Sequence, residues 1–218
     1  MRKLVDHRNR ASLAAAFRRR RFALFQSLIS PLPKPVTILD LGGEQSFWEI
    51  MGLAGNTDYR IVMVNVVPLE ITYSNLRGIL GDATDLHQFS DQEFDLAFSN
   101  SVIEHLGNYL SQQRMAEEIQ RVGRLYYVQT PNKLFPLEPH LLVPFYQFFP
   151  LSLQVTLIQR FNLGWYKKIP ERTNAIQLVR SHRLLTGREM GALFPTGNLF
   201  CERVLGLTKS FIAYGPRQ

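Results

Sequence analysis

Five short polar stretches, each closing an apolar run, are where chemistry could sit: Asp40-Leu41-Gly42-Gly43, Asn65, Asp82-Ala83, Asn100-Ser101 and Thr130-Pro131-Asn132. Gly42 and Gly43 lack a Cβ, so a ligand can come close to their main chain. Asn65 could bond the hydroxyls of a ribose. Asp82 could accept a bond from the exocyclic amine of an adenine, while the neighbouring main-chain N–H donates to a ring nitrogen. Taken singly, each is equally a turn residue, because Asp, Asn and Gly favour tight bends. Order and spacing give the set its weight. Glu138-Pro139-His140 is a different arrangement. A Glu and a His held two residues apart across a stiff proline could serve as orienting carboxylate and base. The alternative is a turn that anchors the chain around it. Glu104-His105 is a further candidate base, and its alternative is a His that opens the following helical region and bonds a neighbour.

The elements that must hold these turns alternate along the chain. Residues 12–29 read as a helix capped by Ser12, with Leu13, Phe17, Leu24 and Leu28 on one stripe. Pro31, Pro33 and Pro35 form a stiff connector. Short apolar strands are predicted at Val36–Leu41, Arg60–Val67, Gly78–Leu80, Phe94–Ser99 and Leu125–Gln129. Helices are predicted at Ser46–Leu53 and at Ser111–Val122, where Met115, Ile119 and Val122 recur at helical spacing. A helix near Thr186–Leu193 and strands near Phe200–Leu205 and Ser210–Tyr214 complete the pattern. Strands separated by helices imply crossovers and a mostly parallel sheet covered on both faces. The expected fold is α/β: a doubly wound, seven-stranded, mostly parallel sheet with an aromatic-rich helical insert at 141–169. In such a sheet ligands bind beyond the carboxyl ends of the strands, where these five turns would form one rim. Residues 1–35 would be a basic helix and connector, and residues 36–218 the main domain.

Val36-Thr37-Ile38-Leu39-Asp40-Leu41-Gly42-Gly43 resembles the first motif of class I S-adenosylmethionine-dependent methyltransferases. Gly81-Asp82-Ala83-Thr84-Asp85-Leu86, and then Phe94-Asp95-Leu96-Ala97-Phe98-Ser99-Asn100-Ser101-Val102-Ile103-Glu104-His105-Leu106, resemble the third and fourth motifs of the methyltransferase type 11 group. Residues 193–195 and Lys209–Tyr214 resemble that group's closing helix and strand pair. The resemblance implies a Rossmann-like methyltransferase fold with S-adenosylmethionine as cofactor. It implies that Asp40, Gly42 and Gly43 border the methionine part, and that Asn65 takes the place of the acidic residue that holds the ribose. It implies further that Asp82 and Ala83 flank the adenine, and that Asn100 and Ser101 line the pocket near the methyl group. Glu44 and Ser46 stand where the family usually has further glycines, and Asn65 is neutral where the family has a carboxylate. A protein that keeps the fold without the reaction is therefore an alternative reading.

On the acceptor side the candidate catalytic residues are His140, Glu138 and His105. Some methyltransferases of similar appearance hold a divalent ion with a Glu-x-x-Glu-His stretch. Here Ser101-Val102-Ile103-Glu104-His105 lacks the first carboxylate, and hard cations want several oxygens, so no metal is expected. Phe145, Tyr146, Phe148, Phe149, Phe161, Trp165 and Tyr166 make the insert a packed cap or an apolar acceptor pocket. The acceptor is expected to be a small molecule or lipid-like, and Lys167 and Lys168 could meet a lipid headgroup at a membrane surface. A net charge of +7, partly in Arg18–Arg21, suits anionic partners and leaves an RNA-directed enzyme as an alternative. A dinucleotide enzyme of the same architecture is disfavoured, since no G-x-G-x-x-G follows the first strand. With 45% hydrophobic residues the chain can fill a core. One cysteine, Cys201, excludes an intramolecular disulfide, and a cytoplasmic setting is expected.

Overall fold

The computed structural model describes residues 13–216. Five parallel strands carry the sheet: β1 (Val36–Leu41), β2 (Tyr59–Asn65), β3 (Leu76–Leu80), β4 (Phe94–Asn100) and β5 (Gly123–Pro131). Two more, β6 (Asn198–Val204) and β7 (Leu207–Gly215), form an antiparallel pair, and β7 runs antiparallel to β5. The order is β3-β2-β1-β4-β5-β7-β6. The chain reverses its direction of winding between β1 and β4, which makes their carboxyl ends the natural cleft of such a sheet. The seven-stranded, mostly parallel α/β fold expected from the sequence is the one observed.

Alternation along β1 decides what each face receives. Leu39 and Leu41 point into a core built with α3 (Tyr109–Val122) and α6 (Gly187–Leu193). Val36 and Ile38 point into a second core with α1 (Leu13–Ile29) and α2 (Gln45–Ile50). Asp40 has the parity of Ile38, so its carboxyl group is carried into this second, aromatic-rich side. Helix α3 forms because Met115, Ile119 and Val122 give it one fully buried face. Its start is fixed by Asn108, whose side chain accepts the Ser111 N–H at 2.8 Å. Thr186 and Glu189 form a capping box at the start of α6.

Helix α1 differs from expectation in the face it buries. Phe25 and Ile29 are fully inside, with Phe22 beside them, while Leu24 and Leu28 are half-buried at the margin. Both stripes have helical spacing, and aromatic packing on Trp48, Phe98 and Tyr127 selects the one through Phe25. Ser12 lies outside the described residues. Beyond β5 the chain leaves the sheet. Helix α4 (Leu151–Arg160) packs on α5 (Arg172–Ser181) around a small core of its own, including Leu141, Tyr146, Val155, Ile158 and Ala175. Helix α5 lies past the expected insert and was not read from the sequence. Its one fully buried residue is Ala175, with Ile176, Leu178 and Val179 half-buried beside it on the same small core, a short stripe within one ten-residue helix, and it begins at Glu171, which accepts the N–H groups of Thr173 and Asn174.

Candidate functional site

At the end of β1 the Asp40 carboxyl group is almost wholly buried, with 1% of the residue exposed. One oxygen, Oδ2, accepts the Trp48 Nε1–H at 2.7 Å. The other, Oδ1, has no hydrogen-bond partner among the described residues. Burial pushes this carboxyl up to about 7, against the lowering effect of the Trp48 bond. The chain passes this group so closely that glycine is required. A Cβ at Gly43 would lie 1.7 Å from Asp40 Oδ2, and Gly42 has φ +77° with Val102 packed against it.

Asp40, Gly42, Gly43, Asn100 and Ser101 line one cavity of about 530 Å³, a size suited to a small organic ligand. The structure thus brings together the turns after β1 and β4. Asn65 does not line this cavity, although its Nδ2–H donates to Gly43 O at 3.3 Å and so braces the turn. Asp82 and Ala83 follow β3 on the same edge, also outside the cavity. The exposed Asp82 carboxylate accepts bonds from both Thr84 N and Thr84 Oγ1 at 2.8 Å, building its own turn. Ala83 packs half-buried on the core. Sequence reasoning missed the aromatic wall of the cavity: Phe22, Phe25, Phe47, Trp48, Phe98 and Tyr127. The clue was Phe47-Trp48 placed a turn after the glycines, where a helix must turn toward Asp40.

A second group lies beyond Ser101. A short 3₁₀ turn, Ile103–Leu106, carries His105. His140 comes from the segment after β5, and His182 ends α5. Their ring centroids are 4.5–5.0 Å apart, each ring meeting the others edge to face. The three predicted catalytic residues are therefore neighbours. Glu138 is buried; its Oε1 accepts His140 Nδ1–H at 2.8 Å, and its Oε2 accepts the main-chain N–H of His140 at 2.8 Å. Burial alone would lower His140, but the bonded Glu138 carboxylate outweighs it and the imidazole ends above its usual value. His105 is exposed as a residue, yet its ring packs against the protein, and this partial desolvation together with the two neighbouring imidazoles pushes it down to about 4. Glu104 is fully buried with Oε2 accepting from Thr130 Oγ1 at 2.9 Å, and burial pushes it up to about 7. His140 and His182 face a second cavity of about 250 Å³, with Leu141, Ile158 and Tyr166 in its wall. His182 was missed because no local pattern connects it with His140; only the folding of α5 against the insert does so.

Residues 39–125 match the family model of a methyltransferase domain. Over that stretch the chain is similar to methyltransferase domains. Solved structures share its architecture. A SAM-dependent methyltransferase from Aquifex aeolicus is 13% identical, with a TM-score of 0.50 over 89% of this chain and 87% of that one. A 1,6-didemethyltoxoflavin-N1-methyltransferase from Burkholderia thailandensis, solved with S-adenosylhomocysteine, is 12% identical, with a TM-score of 0.54 over 90% and 76%. A Methanosarcina mazei SAM-dependent methyltransferase gives 14% and a TM-score of 0.51 over 84% and 92%. At such identities they speak for the fold. An uncharacterized protein of Mycobacterium tuberculosis is 38% identical over 55 residues, which is 25% of this chain and 19% of that protein. No helix among the described residues is long and apolar enough to cross a membrane.

Proposed function

We propose that this protein transfers the methyl group of S-adenosylmethionine to a small, largely apolar acceptor. The reading rests on one observation: at the switch point between β1 and β4, a buried carboxyl group with an unpartnered oxygen faces a cavity floored by Gly42 and Gly43 and walled by aromatic rings. These residues suit the cofactor. Asp40 Oδ1 can take a hydrogen bond from a cationic amine, the glycines leave their main chain open, and aromatic faces favour a positive charge such as a sulfonium. S-adenosylmethionine supplies an electrophilic methyl group on a positively charged sulfur.

This chain's part is mainly one of position. Asp40, Gly42 and Gly43 hold the amino-acid end, with Asn65 bracing the turn, and Asn100 and Ser101 border the reacting end. Asp82 and Ala83 are assigned to the adenine side of the same edge. The acceptor enters beside the second cavity. Bound in the first cavity, S-adenosylmethionine would supply an electrophilic methyl carbon, and the residues named here would serve to hold the acceptor's nucleophilic atom beside it. Where the acceptor is a hydroxyl, its proton passes to the histidine group, with Glu138 orienting His140 and His105 at hand. The apolar wall of Leu141, Ile158 and Tyr166 supports a small or lipid-like acceptor over a nucleic acid.

Calorimetric titration tests the cofactor assignment. S-adenosylhomocysteine should bind one to one and NAD should not. Gly43→Ala, which forces a methyl group onto Asp40 Oδ2, should weaken binding at least tenfold. Asp82→Ala should weaken it too, and His140→Ala should leave it intact while lowering turnover. Absence of S-adenosylhomocysteine binding to the unaltered chain would overturn the proposal.

A further inference from the structure

Three imidazoles packed edge to face need an explanation. Nitrogen atoms of His105, His140 and His182, one from each ring, all lie within 4.8 Å of one another. A tetrahedral ion with metal–nitrogen bonds of about 2.1 Å sets its ligands roughly 3.4 Å apart. The cluster is thus within a modest closing movement of a metal-binding geometry. Two rings are already held as ligands usually are. His140 Nδ1–H donates to the buried Glu138 carboxylate at 2.8 Å, and His182 Nδ1–H donates to Leu178 O at 3.0 Å. Each bond fixes the tautomer and leaves the Nε2 lone pair for another partner. For His182 that nitrogen now faces Tyr166 Oη at 3.1 Å. Three elements far apart in sequence converge here, so the pairing is a product of the fold and not of a local motif.

We propose that His105, His140 and His182 bind a divalent transition metal of the zinc class. Glu138 is the outer carboxylate that orients His140. The oxygen-rich Glu-x-x-Glu-His arrangement stays incomplete at Ser101, and a nitrogen set takes its place, which favours zinc over magnesium or calcium. Three protein ligands leave a fourth position for water or for an acceptor donor atom, with the Tyr166 hydroxyl beside it. An acceptor oxygen bound there loses its proton more readily, so coordination would replace proton removal by a free imidazole. The buried Glu104, with Oε1 unpartnered among the described residues, adds a second carboxyl group beside the cluster. Metal binding itself does not rest on the methyl-transfer reading; coordination of the acceptor does.

The test uses the untagged full chain stripped with chelator. Cobalt(II) should bind one to one, give the intense visible bands of a tetrahedral site, and be displaced by zinc. His182→Ala and His140→Ala should each lower zinc affinity at least tenfold, and Glu138→Gln about tenfold to a hundredfold. His105→Asn changes an exposed residue, so it removes a ligand without emptying a core, and it should also abolish the cobalt bands. His87→Ala, an exposed pair with Asp85 elsewhere on the molecule, should change nothing. Zinc should raise the melting temperature of the unaltered chain and not that of His105→Asn. No stoichiometric binding, or binding that survives the His105 and His182 changes, overturns the proposal. S-adenosylhomocysteine titrated into the stripped protein keeps the two questions apart. Its binding without metal binding refutes only the metal site, and the reverse result refutes only the cofactor assignment.

Discussion

Asp40 ties stability to the cavity proposed for the cofactor. Its carboxyl group ionises near 3.8 when exposed and near 7 in the fold, because burial penalises the charge. The raised value sets the sign. The fold prefers the neutral form, so this contribution is fully present below about pH 3.8 and is lost as pH rises through about 7. A shift of this size corresponds to about 4 kcal/mol between the two limits. Unfolding by urea should therefore show stability falling between about pH 4 and pH 7, and Asp40→Asn should flatten that fall by a few kcal/mol. A slope unchanged in the variant would show that Asp40 is ionised throughout. At this scale the sequence was partly legible. The pair Gly42-Gly43 marked a close approach, and the contact with Asp40 Oδ2 and Val102 is its physical cause. Asp82 was less legible, since a carboxylate after a strand serves a ligand or its own turn, and only the bonds from Thr84 show which atoms it holds now.

At the scale of elements, α1 is more than an N-terminal appendage. Phe25 meets Trp48, Phe98 and Tyr127 at centroid distances of 5.9, 5.4 and 6.0 Å, so the helix supplies a wall of the cavity as well as core. Phe25→Ala should cost about 3–5 kcal/mol, because a 2% exposed ring leaves a void among other rings. Leu24→Ala, at the half-buried margin, should cost about 1 kcal/mol. Urea midpoints measure both, and equal losses would restore the stripe through Leu24 and Leu28. The strands were legible because apolar runs buried on two faces leave a continuous signal. Helix α5 was not. Arg172-Thr-Asn-Ala-Ile-Gln-Leu-Val-Arg-Ser has few buried positions, and its stability comes from docking on α4 and from the Glu171 cap.

For the whole molecule the question is how the insert is held to the sheet, and Gln112 is the answer the structure gives. This fully buried side chain on α3 donates to Ile103 O at 2.9 Å and to Arg183 O at 2.7 Å, and accepts from Arg183 Nη1 at 2.8 Å. Arg183 N in turn donates to Glu104 O at 2.7 Å, and Lys133 N to Leu185 O at 2.9 Å. One amide therefore joins the sheet-flanking helix, the turn bearing His105 and the segment that follows His182. Gln112→Leu keeps the volume and removes every one of the amide's bonds, leaving two inward-facing carbonyls unsatisfied. The expected loss is about 2–4 kcal/mol, since an unpaired buried acceptor costs about 1–3 kcal/mol. The break is local to the joint, so amide hydrogen exchange should quicken through residues 137–185 while β1 to β4 stay protected. The cavity proposed for the cofactor does not include Gln112 or Arg183, so S-adenosylhomocysteine affinity should stay within about twofold. A uniform rise in exchange, or a collapse of cofactor affinity with the insert still protected, would show that the two cavities are one cooperative unit. The joint at Gln112 would then have no separate meaning.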